Sequence, residues 1–406
     1  MGPFNRLFQS IKPSETAPPE HKKSAVASLL GGAETLWVGM NEARWSGRNY
    51  QNLADEGYRK NVITHRAVRI LSESAASVPL VVFRGDQKLN HHPLLDLFNK
   101  PNPVQGRAVF FETAYAYLNI AGNSYLETVM GVDGLPAELY VLRPDRMTIL
   151  PGAGGWPKAY AYGVSGQAHH FPVDPVTGQS LILHLKTFHP TDDHYGMSPL
   201  EAAAYSVDVH NAASSWNKAL LDNSARPSGA LVFEPKDGNS ALSKEQFDRL
   251  KEEMEENFQG SRNARRPLLL EGGLKWQQMA FSPADMDFIN AKHVSAREIA
   301  IAFGVPPMMM SIPGDNTYSN YKEANRALWR STLLPMMDKM MSSLNCWLTP
   351  YFGDDLRLDY DFDAIPALSH DRQALWQRIS AADFLTLNEK RAAVGLGAIS
   401  GGDVIE

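Results

Sequence analysis

Several groups of residues have types and spacings that could do chemistry. Ser198 lies in Gly196-Met197-Ser198-Pro199-Leu200, part of a nucleophile turn, but the glycine such a turn needs two residues after the serine is replaced by Leu200. Serine before proline fits a helix N-cap, and that is the reading adopted. Asp359, Asp361 and Asp363 alternate like the opening of a calcium loop. Its sixth position would be Ala364 instead of glycine and its twelfth His370 instead of glutamate, so a solvated strand face is preferred. His91-His92 and His169-His170 are adjacent pairs. Neighbours on a strand point to opposite faces, which argues against shared metal ligation. No His-Glu-x-x-His, no phosphate loop ending in Gly-Lys-Ser/Thr and no glycine-rich dinucleotide turn occurs. Cys346 is the single cysteine, which excludes an intramolecular disulfide and a cysteine-based zinc site. Its apolar helical setting beside Trp347 predicts a packed thiol. The sequence shows no catalytic, cofactor or metal motif.

Binding chemistry is better represented. Arg262, Asn263, Arg265 and Arg266 form a basic loop that could face phosphates or an acidic protein, or could simply be solvated. Trp276 beside Lys275 could stack on a base, although a strand aromatic in a core is the plainer reading. Met308-Met309-Met310 follows two prolines and precedes Pro313-Gly314. There no helix can bury the methionines cleanly, so they are read either as core filler or as the lining of a functional surface.

The totals bound these readings. At 406 residues the chain exceeds one usual core, so two or more domains are expected. A net charge of -6 argues against a tight charge-driven clamp on nucleic acid. No run reaches the roughly 18 apolar residues of a membrane span, and the first residues do not form a signal peptide. A cytoplasmic site of synthesis is expected.

The elements that must position the central methionines are two helices. Ser282-Pro283-Ala284-Asp285 predicts a helix start, and Met286, Ile289, His293, Ala296, Ala300 and Phe303 a buried stripe at helical spacing. Gly304 ends it and Val305-Pro306-Pro307 prevents resumption. A second helix is expected over Thr317 to Trp347, kinked at Pro335. Upstream, Ser198-Pro199 opens a helix to about Asn223 whose expected stripe is Val209, Ala212, Ala213, Trp216, Ala219 and Leu220. Between the long helices lies a strand-helix-strand-strand unit, about 226 to 281. It contains a helix opened by Ser243 and Gln246 and strands at 230–234, 268–270 and 275–279. The spacing therefore predicts a small module projecting on a two-helix stalk.

The rest reads as mixed helix and sheet without strict alternation, fold class α+β. Residues 1 to about 50 are expected to be mostly flexible. Helices are predicted from Val62 to before Val78-Pro79, over His92 to Phe98 and over Arg107 to Ala121, the last ending at Gly122-Asn123. Strands are predicted at Leu80 to Phe83, with a hairpin at Gly85-Asp86, and at Ser124 to Met130, Pro136 to Leu142, Leu181 to Lys186 and Leu356 to Phe362. A helix over Gln373 to Phe384 and a capping box at Thr386-Leu387-Asn388-Glu389, closed by Gly395, end the chain.

Several motifs resemble, in order, the portal protein family of long-tailed (siphovirus-type) bacteriophages and phage-like gene transfer agents. They are Gly196-Met197-Ser198-Pro199-Leu200, the run from Asn223 to Gly229, Ile299 to Pro307, Asn320-Tyr321-Lys322-Glu323, Thr386 to Arg391 and Gly401-Gly402-Asp403. The resemblance spans roughly residues 55 to 403. It implies a flexible segment (1–50), a wing (51–197 and 321–366), stem helices (198–225 and 283–303), a clip (226–282), a tunnel loop (304–320) and a short crown (367–406). It implies a ring, usually of twelve, at one capsid vertex of a virion, assembled in the bacterial cytoplasm. The ring would pass double-stranded DNA during packaging and ejection, and dock the terminase large subunit, the head-tail connector and the major capsid protein. No cofactor and no membrane are implied. Met308, Met309, Met310, Ile312, Asp315, Asn316, Thr317 and Tyr318 would belong to the tunnel loop, and Arg262, Asn263, Arg265 and Arg266 would dock a partner at the clip.

Overall fold

The computed structural model describes residues 49–85, 87–152, 155–222, 229–233, 248, 274–278, 288–312, 318–353, 355–395 and 397–404. A short turn, α1 (Tyr50–Asn52), runs into a π-helical turn, Leu53–Arg59. Asn61 then caps α2 (Val62–Ser77), its side chain accepting from the N–H groups of Ile63 and Thr64 at 3.0 Å each. Ala67, Val68, Leu71 and Ala75 recur at helical spacing and are buried. Val78 turns extended because Pro79 follows.

β1 (Leu80–Arg84) pairs antiparallel with β2 (Gln87–Leu89) across a turn at Gly85, as the hairpin signal predicts. Next come α3 (Pro93–Asn99) and α4 (Arg107–Ala121). His92 caps α3, its Nδ1 accepting from the Leu94 N–H, so this histidine serves structure. α4 packs along α2 and buries Phe110, Phe111, Ala114 and Tyr115. Each large side chain so buried is worth about 1.5–3 kcal/mol. Tyr115 reaches across the core to share a 2.6 Å hydrogen bond with the Tyr360 hydroxyl. Tyr360 ends β11 (Leu356–Tyr360), the other neighbour of β1.

β3 (Asn123–Met130) lies between β4 (Pro136–Leu142) and β8 (Ile182–Lys186). β5 (Met147–Pro151), β6 (Pro157–Val164) and β7 (Gln167–Pro172) form a further three-stranded antiparallel sheet that the sequence reading does not contain. Met147, Ile149 and Tyr160 cover Tyr125, Leu142 and Ile182 in a second, smaller core. Pro151, Gly152 and Pro157 crowd the β5–β6 connection and hide the alternation on which a strand prediction depends.

After α5 (Pro199–Ala202) and α6 (Ala204–Asp222), β9 (Gly229–Phe233) and β10 (Leu274–Gln278) pair antiparallel with Trp276 opposite Leu231. The expected helix opened by Ser243, the strand at 268–270 and Arg262, Asn263, Arg265 and Arg266 lie outside the described residues. α7 (Phe288–Ala302) leads to the central loop, and α8 (Tyr318–Leu328) follows it. A π-turn, Trp329–Leu333, joins α8 to α9 (Leu334–Phe352). It lies directly before Pro335, where a kink is expected. A proline there crowds the carbonyl four residues back, and the widened turn, with the Leu334 N–H bonded to the Trp329 carbonyl, relieves the clash. Cys346 is exposed on α9, contrary to the packed thiol expected, because Leu344, Trp347 and Leu348 take the inward face.

Asp361 caps a short 3-10 turn and pairs with Lys88, while Asp363 pairs with Arg372, so these two carboxylates serve local structure. α10 (Ser369–Ser380) and α11 (Leu387–Ala393) end the chain. Thr386 and Glu389 form the expected capping box. Asn388 explains the glycines that follow. Its amide bonds both backbone groups of Ile399 and the Asp403 carboxylate, and a side chain at Gly402 would collide with it at 2.5 Å.

Candidate functional site

The serine motif is a structural knot. Ser198 caps α5 with Glu201 in a full capping box, and its hydroxyl donates to the Asn119 carbonyl at the end of α4. α4 stops because Gly122 takes a left-handed conformation, φ +70°. Gly196 lies so close that a Cβ there would sit 2.1 Å from the Gly122 carbonyl. Asn123 completes the junction. Its carbonyl oxygen accepts from the Gly196 N–H at 2.7 Å, and its amide donates to the Ala121 and Gly196 carbonyls. With that orientation fixed, the His184 Nε2 at 2.9 Å must donate to the same oxygen. Stacking on Tyr125 at 4.4 Å completes its enclosure, and burial lowers its pKa to about 3. The sequence reading named the glycines and the serine, and Asn123 only as part of a helix end, but gave no role to Tyr125 or His184. Their signal is spatial, since 61 residues separate Asn123 from His184.

A second knot ties α6 to the start of the fold. Because the Asn61 oxygen is committed to capping α2, its NH2 group faces His210 Nδ1 at 3.2 Å and donates to Asn211 Oδ1 at 3.0 Å. Asn211 in turn donates to the Glu56 carbonyl. His210 Nδ1 is therefore an acceptor and the ring is neutral. Burial, and then Lys292, lowers its pKa.

α6 and α7 pack together, and Ser206 donates to Glu298 at 2.6 Å. The inward residues of α6 are Val207, His210 and Ala213. Of the expected stripe only Ala213 is buried, while Val209, Ala212 and Trp216 are exposed and the side chains of Ala219 and Leu220 lie outside the described residues. On α7, Ala296, Ala300 and Phe303 are buried as expected and His293 is exposed. Ile299 replaces it in the core. The expected helix start at Ser282, Met286 and the side chain of Ile289 lie outside the described residues.

α7 ends as the sequence predicts. Gly304 is left-handed at φ +63°, its N–H bonded to the Ile301 carbonyl and that of Val305 to the Ala300 carbonyl. Thr332 of the π-turn donates to the Gly304 carbonyl at 2.7 Å, which links the helix end to α8 and α9. Pro307–Met310 then form a 3-10 turn, closed by Ser311 at φ +58°. The turn carries Met310 (8% exposed) and Ile312 (4%) into the chain's own core, with Met309 packed against it. Met310 and Ile312 therefore anchor the loop, which agrees with the core-filler alternative for this stretch. Met308 is half-buried. Asp315, Asn316 and Thr317 lie outside the described residues, and Tyr318 opens α8. Among the described residues no group of His, Cys, Asp or Glu could hold a metal ion, and no helix is long and apolar enough to cross a membrane.

Among the described residues the central features are thus a helix pair, a proline-stopped loop fixed at its base and a π-turn between two helices. The phage portal protein model matches residues 63–395, and the chain belongs to that family. It is similar to a chain in the neck of an empty gene transfer agent particle, computed with C6 symmetry. Identity is 49% over 89% of this chain and 97% of that one, with a TM-score of 0.70. A protein of Rickettsia bellii is 43% identical over 90% of this chain and 94% of its own length. The portal protein of Enterobacteria phage HK97 is 26% identical over 84% of this chain and 79% of its own length. Portal proteins are structural components of the capsid and not enzymes.

Proposed function

We propose that this chain forms the portal ring of a gene transfer agent or tailed-phage particle: a channel of about twelve copies at one capsid vertex. Double-stranded DNA enters and leaves through it. The observation that carries this reading is the 49% identity, over nearly the whole of both chains, to a chain of a gene transfer agent neck. Another neck structure with 48% identity was computed with C12 symmetry, which supports twelve copies. The formal charge of -6 suits a conduit. DNA carries one negative charge per about 1.7 Å of axis, and a strongly basic lumen would hold the duplex by counterion release where the channel must let it slide.

The α6–α7 pair corresponds to the stem and the residues between them to the clip. Residues 304–320 form the tunnel loop, with Met310 and Ile312 as its anchor, and Met308, Met309, Asp315, Asn316, Thr317 and Tyr318 belong to it. Arg262, Asn263, Arg265 and Arg266 dock the terminase large subunit during packaging and the head-tail connector afterwards. The wing meets the major capsid protein. The ring assembles in the bacterial cytoplasm and ends in the virion. Deleting the gene is expected to give capsids without packaged DNA, and a tagged copy is expected to label one vertex per particle. DNA-filled capsids in the deletion strain, or label over the whole shell, would contradict this reading.

A further inference from the structure

A groove of about 590 Å3 runs beside the base of the central loop, between β8, the end of α7 and the start of α9. Its floor is apolar: Leu71 (1% exposed), Phe303 (3%) and Met340 (1%) belong to the main core. Its rim is open, with Ile301 71% exposed and Lys186 and Lys339 at the surface. Pro335, Lys339 and Ser343 line it at successive turns of α9, which makes that wall about 12 Å long. Such a length takes about two turns of helix or four residues of extended chain. An open trough of this shape suits a segment of polypeptide better than a compact small molecule, which a pocket normally encloses.

The charge on the groove is one-sided. Lys186 and Lys339 stand on two different elements, and among the described residues no carboxylate lines it. His184 also lines it, but its lowered pKa leaves it uncharged near neutral pH. Lys186 donates to the Asp193 backbone carbonyl, which leaves its charge uncompensated. Two cations without an anion between them are a local exception in a chain of net charge -6.

We propose that this groove is a docking site for an acidic amphipathic segment of a different protein. Apolar side chains of that segment lie over Leu71, Phe303 and Met340, and its carboxylates pair with Lys186 and Lys339. The site goes beyond the ring reading and does not depend on it, since one chain supplies every lining residue. Apolar contact supplies the affinity, while the two lysines select the sign of the partner and speed its arrival. Amphipathic helices that bind in grooves are recognised in this way.

The test measures, by fluorescence anisotropy, binding to the purified full chain of two labelled peptides of about twelve residues, long enough to span the groove. Both carry leucines at helical spacing, and the remaining positions are glutamate in one peptide and lysine in the other. The glutamate peptide is expected to bind saturably, about tenfold or more tighter than the lysine peptide, and to weaken with added salt. Lys339→Glu, at an exposed position, should weaken the glutamate peptide about tenfold and strengthen the lysine peptide, with the melting midpoint unchanged. Lys339→Arg should retain binding. Hydrogen exchange should slow on binding across 301–304 and 331–343. No saturable binding, equal binding of the two peptides, or protection elsewhere in the chain would overturn the proposal. Binding of dodecanoate but of neither peptide would also overturn it, as the mark of a site for small amphipathic anions. So would binding by the free chain that disappears in assembled rings, since a neighbouring copy would then fill the groove.

Discussion

The junction around Gly196 and the outer face of the α6–α7 pair treat their side chains in opposite ways. At the junction, Gly122, Asn123, His184, Gly196 and Ser198 satisfy one another within a single chain, and a Cβ at Gly122 or Gly196 has no room. On the helix pair, Tyr205, Val209, Trp216, Val294 and Ile301 remain on the surface. Apolar side chains spaced along one face are normally covered. The first region is closed by folding, and the second keeps its apolar side chains at the surface of the chain.

The contrast can be broken at the junction first, where the largest effects are expected. Gly196→Ala would drive a methyl group to 2.1 Å from the Gly122 carbonyl and 2.7 Å from the Thr187 nitrogen. A loss of about 3 kcal/mol or more is expected in chemical denaturation, since backbone on both sides must move. Asn123→Ala strips partners from the Gly196 N–H and from the Ala121 and Gly196 carbonyls, and should cost about 2 kcal/mol.

Acid should act at the same place. The His184 pKa is lowered to about 3 in the fold, against about 6.5 in an unfolded chain. The neutral ring is the bound form, so its contribution is complete above about pH 6.5. It is lost as pH falls from there towards about 3. His210, also lowered, acts in the same direction. Melting midpoints measured from pH 8 to pH 4 should fall below about pH 6.5, and the fall should be shallower in His184→Gln.

Gly304→Ala should have a smaller effect. The left-handed backbone costs an alanine about 1 kcal/mol, and its methyl group must displace the Thr332 hydroxyl at 2.7 Å. The readout is thermal stability together with the position of α8, by hydrogen exchange across Tyr318–Leu328. Smallest in stability, and sharpest for the comparison, is removal of residues 261–266. Ring assembly and melting should be unchanged while motor docking and tail attachment fail in a packaging assay. Unchanged packaging and tailing would count against the basic loop as a docking element.

How much of this was legible in the sequence follows the same division. Local punctuation was readable: Gly122 and Gly304 at helix ends, the capping boxes at Ser198 and Thr386, and the bend before Pro335 all stand where their chemistry predicts. Long-range polar closure was not, because nothing near Asn123 in the chain signals His184. The sheet of β5, β6 and β7 was missed because proline and glycine interrupt its alternation. The α6 stripe is the most instructive case. Periodicity grouped Val209, Ala212 and Trp216 with Ala213 in one stripe, whereas the fold buries Ala213 and leaves the other three exposed. Met308 to Ile312 shows the reverse. A loop whose methionines could be core filler or a functional lining turns Met310 and Ile312 into its own core, beside a left-handed serine that composition does not reveal.

The central claim is that the folded chain is incomplete until copies surround a common axis. Native mass spectrometry of the purified full chain, with end-on electron microscopy of the same sample, tests it most directly. The account predicts one dominant assembly near twelve times 45.0 kDa with a central hole. A sample of 45.0 kDa monomers with no hole, at concentrations where the chain is fully folded, would contradict it.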